Sequence, residues 1–257
     1  MSIETVHDGR LLRIILNRPE KRNALNVKTC REVVEALRHA DENPAIGATL
    51  LSGAGKAFCA GMDLTEARDI DRQTLAEAQE PLFTFGDHVR KPVIAAVQGP
   101  AIAGGTALVA NAHIAIASDD ATFGLTEIRL GLWPVLIFPS ITGAVGERRA
   151  LELSLTGRVF KAAEAQEYGL VHEVVPRERL EARAMEIALG VADSSSPVIL
   201  AGLQYVRAIR GKNVGEAMQI GRKVRDEIMQ TEDFAEGLRA FAERRPPVWP
   251  SRSPERL

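Results

Sequence analysis

The stretch from Pro92 to Thr106 restricts this chain more than any other. Val93-Ile94-Ala95-Ala96-Val97 is a continuous apolar, β-branched run, the pattern of a strand buried on both faces. Gly99-Pro100 breaks it, and Gly104-Gly105 leads into Thr106-Ala107-Leu108-Val109-Ala110, whose composition is helical. A strand that ends in glycine and restarts as a helix leaves several main-chain N–H groups unpaired at the helix start. Those groups and the helix dipole favour an oxygen or a negative charge, and glycine lets the main chain come close to it. An ordinary strand–helix turn has the same outline, so the company this stretch keeps decides its meaning. A dinucleotide site does not fit, because G-x-G-x-x-G is absent.

The rest of the chain sets a layered frame around that strand. Ile3–His7 and Leu11–Leu16 flank Asp8-Gly9, a hairpin signal. Asn17 to Asn26 is polar and broken by Pro19, hence a surface loop, and Asn26 is placed to cap a helix carrying Cys30, Val33, Val34, Leu37 and Ala40 on one face. A strand at Ala48–Leu51 leads into Ser52 to Leu64, a loop rich in glycine and alanine. A short helix is expected after Asp63 and a longer one over Arg72–Val89. Further strands are expected at His113–Ser118 and Gly169–Pro176, with a short extended piece from Ala121 to Glu127. Ile128 to Ile141 is apolar but punctuated by Gly131, Pro134 and Pro139, and helices follow at Gly146–Thr156 and Ala162–Tyr168. From Arg177 onward the pattern is helical, with breaks at Ser194–Pro197 and Gly211, and the chain after Glu243 reads as a loose, basic, proline-rich tail. Alternating strands and helices followed by helices alone predict an α/β core over residues 1–195 and a helical region over 196–257.

Composition closes several alternatives. A net charge of −2 in 257 residues gives no general attraction to nucleic acid or an anionic membrane. No apolar run reaches the roughly 18 residues needed to cross a bilayer. Met1-Ser2-Ile3-Glu4-Thr5 lacks the basic flank and apolar core of a secretory signal. Cys30 and Cys59 form no C-x-x-C, so a reducing, cytoplasmic setting is expected. Gly55-Lys56 is not a phosphate loop, since Leu50 stands where the first glycine is needed and Ala57 replaces Ser/Thr. The five histidines show no metal spacing, and G-x-S-x-G is missing. Cys59 has no paired base and reads as a small packing residue.

Spaced segments resemble one family. Asn17-Arg18-Pro19-Glu20-Lys21-Arg22-Asn23-Ala24-Leu25-Asn26 is similar to the opening motif of the enoyl-CoA hydratase/isomerase, or crotonase, superfamily. Lys56 to Leu64 resembles its first oxyanion loop, Gln98 to Gly105 its second, and Phe123 to Gly131 its catalytic-carboxylate segment. Leu155-Thr156-Gly157, Ala162–Pro176 and Phe241–Pro246 also follow the family, in order and over nearly the whole chain. The resemblance implies a crotonase-like spiral of strand–strand–helix repeats with C-terminal helices that pack into a homotrimer, often paired as a hexamer.

It also implies a site. Ala60 and Gly104 would give the two main-chain donors of an oxyanion hole, and Glu127 would be the acid/base. A thioester carbonyl gains negative charge when its acyl chain loses an α-proton, and preorganised donors stabilise that enolate more than the ground state. One such donor is worth about 2.7–4 kcal/mol. Bulk at Gly104 is expected to block the hole. Glu127 lies among Leu125, Leu130, Leu132, Trp133 and Leu136, and burial there would raise its pKa toward the range useful for proton transfer. The other reading is a surface carboxylate paired with Arg129. Trp133 would wall the acyl pocket or fill core. Lys21, Arg22, Ala24, Met62, Asp63, Leu64 and Arg244 map onto family contacts for coenzyme A, which enters as part of the substrate; no permanently bound cofactor or metal is implied. Ala107 stands where two-carboxylate hydratases carry a second Glu. One carboxylate suffices to move a double bond, whereas hydration is easiest with two. The resemblance therefore implies Δ3-to-Δ2 enoyl-CoA isomerisation ahead of hydration, with a non-catalytic acyl-CoA-binding homologue as a third reading.

Overall fold

A computed structural model of the chain describes residues 1–252. β1 (Ile3–Asp8) and β2 (Leu11–Leu16) form the expected antiparallel hairpin, turned at Gly9-Arg10 with Gly9 at φ +57°. A 3-10 turn at Pro19–Lys21 precedes α1 (Val27–Glu42), which begins where the Asn26 side chain accepts from the Thr29 N–H. Then come β3 (Ala48–Gly53), α2 (Leu64–Ala67), α3 (Arg72–Phe83) and α4 (Phe85–His88). The single helix expected over Arg72–Val89 is thus broken at Thr84, whose hydroxyl bonds back to Glu80 O at 2.8 Å and competes with the helical ladder.

β4 (Val93–Val97), β5 (Ala101–Ile102), α5 (Gly104–Asn111), β6 (Ile114–Ser118) and β7 (Thr122–Gly124) form the middle of the chain. A 3-10 turn at Glu127–Leu130, α6 (Phe138–Val145), α7 (Glu147–Thr156), β8 (Val159–Lys161), α8 (Ala162–Glu167) and β9 (Glu173–Val175) follow. The remainder is α9 (Leu180–Ala192), α10 (Ser196–Ala208), α11 (Val214–Met229) and α12 (Glu232–Glu243).

The main sheet runs β1-β2-β3-β4-β6-β9, parallel except for the hairpin, and a second sheet runs β5-β7-β8. Both faces of β4 are buried, as a continuous apolar run requires. Ile94 and Ala96 face α9, where Ala184, Ala188 and Ala192 at helical spacing let the helix lie close to the sheet. Val93, Ala95 and Val97 face the larger core under α1, α3 and α5.

Past Ser195, only Asp233, Glu236 and Ala240 are buried among the described residues. The tail is not loose over 244–252. Arg245 pairs with Glu236 at 2.6 Å, Trp249 Nε1 donates to Asp193 O at 2.8 Å, and the Ser251 hydroxyl donates to Asp233 at 2.6 Å. Residues 253–257 of the expected helical region and tail lie outside the described residues.

Candidate active site

Three segments far apart in sequence are stitched together at the end of β4. The Phe58 and Cys59 N–H groups both donate to Pro100 O at 3.1 Å, and Ile102 N donates to Cys59 O at 2.9 Å. On the other side, Ala60 N donates to Arg22 O at 3.0 Å, Leu25 N to Gly61 O at 2.7 Å, and Asp63 N to Leu25 O at 2.9 Å. The Arg22–Asn23 turn is held in the left-handed region (φ 51° and 56°), and the buried Asn23 amide donates to Ala54 O and Ala57 O. The contacts are close: a methyl on Gly105 would lie 2.2 Å from Cys59 O, and one on Gly61 would lie 3.4 Å from Gly104 N.

The expected donor at Ala60 is corrected by this pairing, since its N–H is already bonded to Arg22 O. The Gly61 N–H faces the Cys59 thiol, and that of Asp63 faces Leu25. Successive N–H groups of an extended segment point to opposite sides. Met62 N, bridged edgewise to Leu25, therefore points away and has no partner among the described residues. Gly104 N, the first helical donor of α5, is also without one. Ala103 sits just before it at φ 54°, ψ −118°, with its own N–H bonded to Gly124 O at 2.7 Å. A side chain at Gly104 would meet the Phe83 ring at 2.9 Å and Leu25 at 3.3 Å. Bulk there strikes the packing behind the loop, so the glycine requirement has that cause rather than a side chain filling the hole.

β5 pairs in parallel with β7, Ile102 opposite Gly124, so the end of β7 lies beside the turn that carries Gly104. Glu127 leaves that edge as the first residue of the 3-10 turn. It is buried at 9% exposure, its Oε2 has no hydrogen-bond partner, and burial raises its pKa against the opposing effect of its own main-chain N–H. No ion pair joins it to Arg129 among the described residues. The expected apolar surround is corrected in part. Leu125 is fully buried, but Leu130, Leu132 and Leu136 are exposed, because the glycine and prolines of that segment turn it outward. Trp133 is half-buried with its ring 6.1 Å from that of Phe138. Ala107 is fully buried one turn into α5, where Asn111 donates to its carbonyl at 2.9 Å.

The remaining expected contacts scatter. Lys21 and Arg22 are exposed on the opening loop, Ala24 is buried beneath them, and Leu64 is exposed at the start of α2. Asp63 is buried and committed within the chain: its carboxylate accepts from Thr65 and from Arg18, and these bonds hold it down to about 2. Arg244 ends α12 in the left-handed region, exposed and with no ion pair among the described residues. His113 and His172 accept main-chain N–H bonds from Val93 and Ala115 through Nδ1, and burial pushes His113 down to about 4. Both thiols are buried and pushed up to about 12, so neither is a nucleophile at neutral pH. No cluster of three or more metal-ligating side chains occurs among the described residues.

Two unpaired main-chain donors and a buried carboxyl thus lie on neighbouring segments of a mixed α/β frame. Comparison with known proteins gives the family. Residues 7–252 match the family model for enoyl-CoA hydratase/isomerase. The chain is 35% identical over 260 residues to mevalonyl-coenzyme A hydratase of Aspergillus fumigatus, covering 97% of this chain and 93% of that one. It is 37% identical to a probable enoyl-CoA hydratase of Mycobacterium bovis, covering 98% and 100% of the two chains. The crystal structure of enoyl-CoA hydratase from Bacillus anthracis superposes with a TM-score of 0.91 at 31% identity, over 98% of this chain and 100% of that one. The chain belongs to the enoyl-CoA hydratase/isomerase family and has its crotonase fold with a C-terminal helical region.

Proposed function

We propose that the protein moves the double bond of a 3-enoyl-CoA thioester to the 2-position, with Glu127 as its one acid/base and the N–H groups of Met62 and Gly104 as oxyanion donors. The observation that carries this reading is the buried Glu127 carboxyl, whose Oε2 has no partner, in a chain whose position 107 is alanine. The Glu127 carboxylate takes a proton from C2, and the C–H electron pair forms a dienolate whose oxygen faces the two N–H groups. The carbonyl then re-forms, the double bond settles between C2 and C3, and Glu127 returns the proton to C4. Each main-chain donor contributes only as charge builds on the oxygen. Lys21, Arg22, Ala24, Leu64 and Arg244 are assigned to coenzyme A, and Trp133 to the acyl chain, with Arg244 serving a neighbouring subunit of a trimer.

Hydration of a 2-enoyl-CoA is the second reading, favoured by the hydratase names of the relatives. Ala107 offers no group to hold or activate water, which places it second. A non-catalytic acyl-CoA binder has no use for a buried carboxyl with an unpartnered oxygen. A panel of CoA thioesters separates the three. We expect trans-3-hexenoyl-CoA to be converted at unchanged mass, faster than crotonyl-CoA gains water. Rapid hydration without isomerisation overturns the first reading, and no turnover on either overturns both enzymatic ones.

A further inference from the structure

We propose that the Arg18–Asp63 ion pair is a latch that aims the Met62 N–H, and thereby sets how strongly a bound thioester carbonyl is polarised. The inference rests on the reading of Met62 as an oxyanion donor.

The argument starts from one peptide unit. The Met62 N–H belongs to the same planar group as the Gly61 carbonyl and points the opposite way. That carbonyl is held by Leu25 N at 2.7 Å, so whatever fixes Leu25 also aims the free N–H. The need for a fixing device is local: Gly61, at φ +87°, is a swivel just before the donor. Leu25 is pinned on both sides by one guanidinium. Arg18 Nη1 donates to Ala24 O at 2.6 Å, and Arg18 Nη2 to Asp63 Oδ2 at 2.9 Å. Asp63 returns its own N–H to Leu25 O at 2.9 Å, and its Oδ1 accepts from the Thr65 hydroxyl at 2.6 Å. Arg18 itself is set by its N–H, which donates to Asn23 Oδ1 at 2.9 Å. The side chains of the pair are 16% and 7% exposed, so solvent competes little with these bonds. A planar fork bridges two acceptors at fixed separation, which a lysine ammonium on a flexible stem does not do. Arg18 and Asp63 are therefore positioning residues, and Asp63 serves the thioester carbonyl rather than the nucleotide.

The test uses hexanoyl-CoA with a 13C carbonyl, a saturated thioester that the proposed reaction does not consume. Infrared spectroscopy reads its C=O stretch when bound. In the wild-type protein the stretch falls below its value in water. In Arg18→Lys, Arg18→Gln and Asp63→Asn it moves back toward that value. The kcat on trans-3-hexenoyl-CoA, or on crotonyl-CoA if that is what the wild-type protein turns over, falls in step by about tenfold to a hundredfold. Hexanoyl-CoA affinity changes less than about threefold, since the remainder of coenzyme A is bound elsewhere. Arg18→Lys retains more activity than Arg18→Gln. The proposal is overturned if the folded variants keep the wild-type frequency, or slow without moving it. It is also overturned if none of the three folds, which makes the pair a folding determinant. A wild-type protein with no lowering of the stretch sinks the oxyanion assignment itself, a separate failure.

Discussion

Glu127 is held where charge is unwelcome, and that has a measurable sign. Burial places its folded pKa above the unfolded one. Such a group leaves stability intact below the unfolded pKa and lowers it as pH rises through the folded value. Glu127→Gln removes that loss. In thermal melts the variant should match the wild-type protein near about pH 4 and exceed it near about pH 8. Its kcat should meanwhile fall by about 10²–10⁴-fold, the contribution typical of a general acid/base. A variant that melts lower than wild type at the higher pH contradicts the burial argument. That Glu127 is buried was legible in the sequence, from the apolar run around it. The free N–H of Met62 was not, because the pairing of a main-chain N–H is not written in its residue type. The direction of that N–H depends on Leu25, in a different loop, and small neighbours at Ala60-Gly61 gave no guide to it. The signal that finds it is the alternation of N–H directions once Asp63 is known to face Leu25.

Among elements, α5 is packed hard against the Cys59 loop. Gly105 has no room for a methyl because the obstacle is a main-chain oxygen 2.2 Å away, which cannot swing aside. Gly105→Ala should lower stability by about 3 kcal/mol or more, the range of a forced backbone shift. Gly190 lies inside α9 with nothing within 4 Å of an added methyl. Gly190→Ala should raise stability by about 0.5–1 kcal/mol. Urea unfolding of the two variants checks the contrast, and equal effects would discredit the packing account. The central strand and the Asn26 cap were readable because apolar periodicity and cap chemistry act locally. The break at Gln230-Thr231 carries no glycine or proline, and the one at Thr84 falls between Pro81 and Gly86 rather than on either. Side-chain hydroxyls make them, bonding to Glu80 O and capping α12 at Phe234 N.

As a whole, the molecule is lopsided. The sheet is packed on both faces, yet past Ser195 only three of the described residues are buried in this chain. Phe241 is 87% exposed, Val214 80% and Val248 76%, large apolar surface that association would remove from water. We propose that these helices self-associate, in the trimer expected from the family resemblance. Light scattering should give a multiple of the single-chain mass, and Phe241→Asp should shift it toward that of one chain. A wild-type protein that scatters as a single chain overturns this.

Ala103 gives the fold one more property. Its backbone occupies a region where a side chain costs on the order of 1–3 kcal/mol, one residue before the N–H proposed as an oxyanion donor. Glycine there would relax the tension and free the hinge at once. Selection for heat tolerance alone would therefore drift toward a hardier and slower catalyst, and only pairing survival with turnover would keep the alanine.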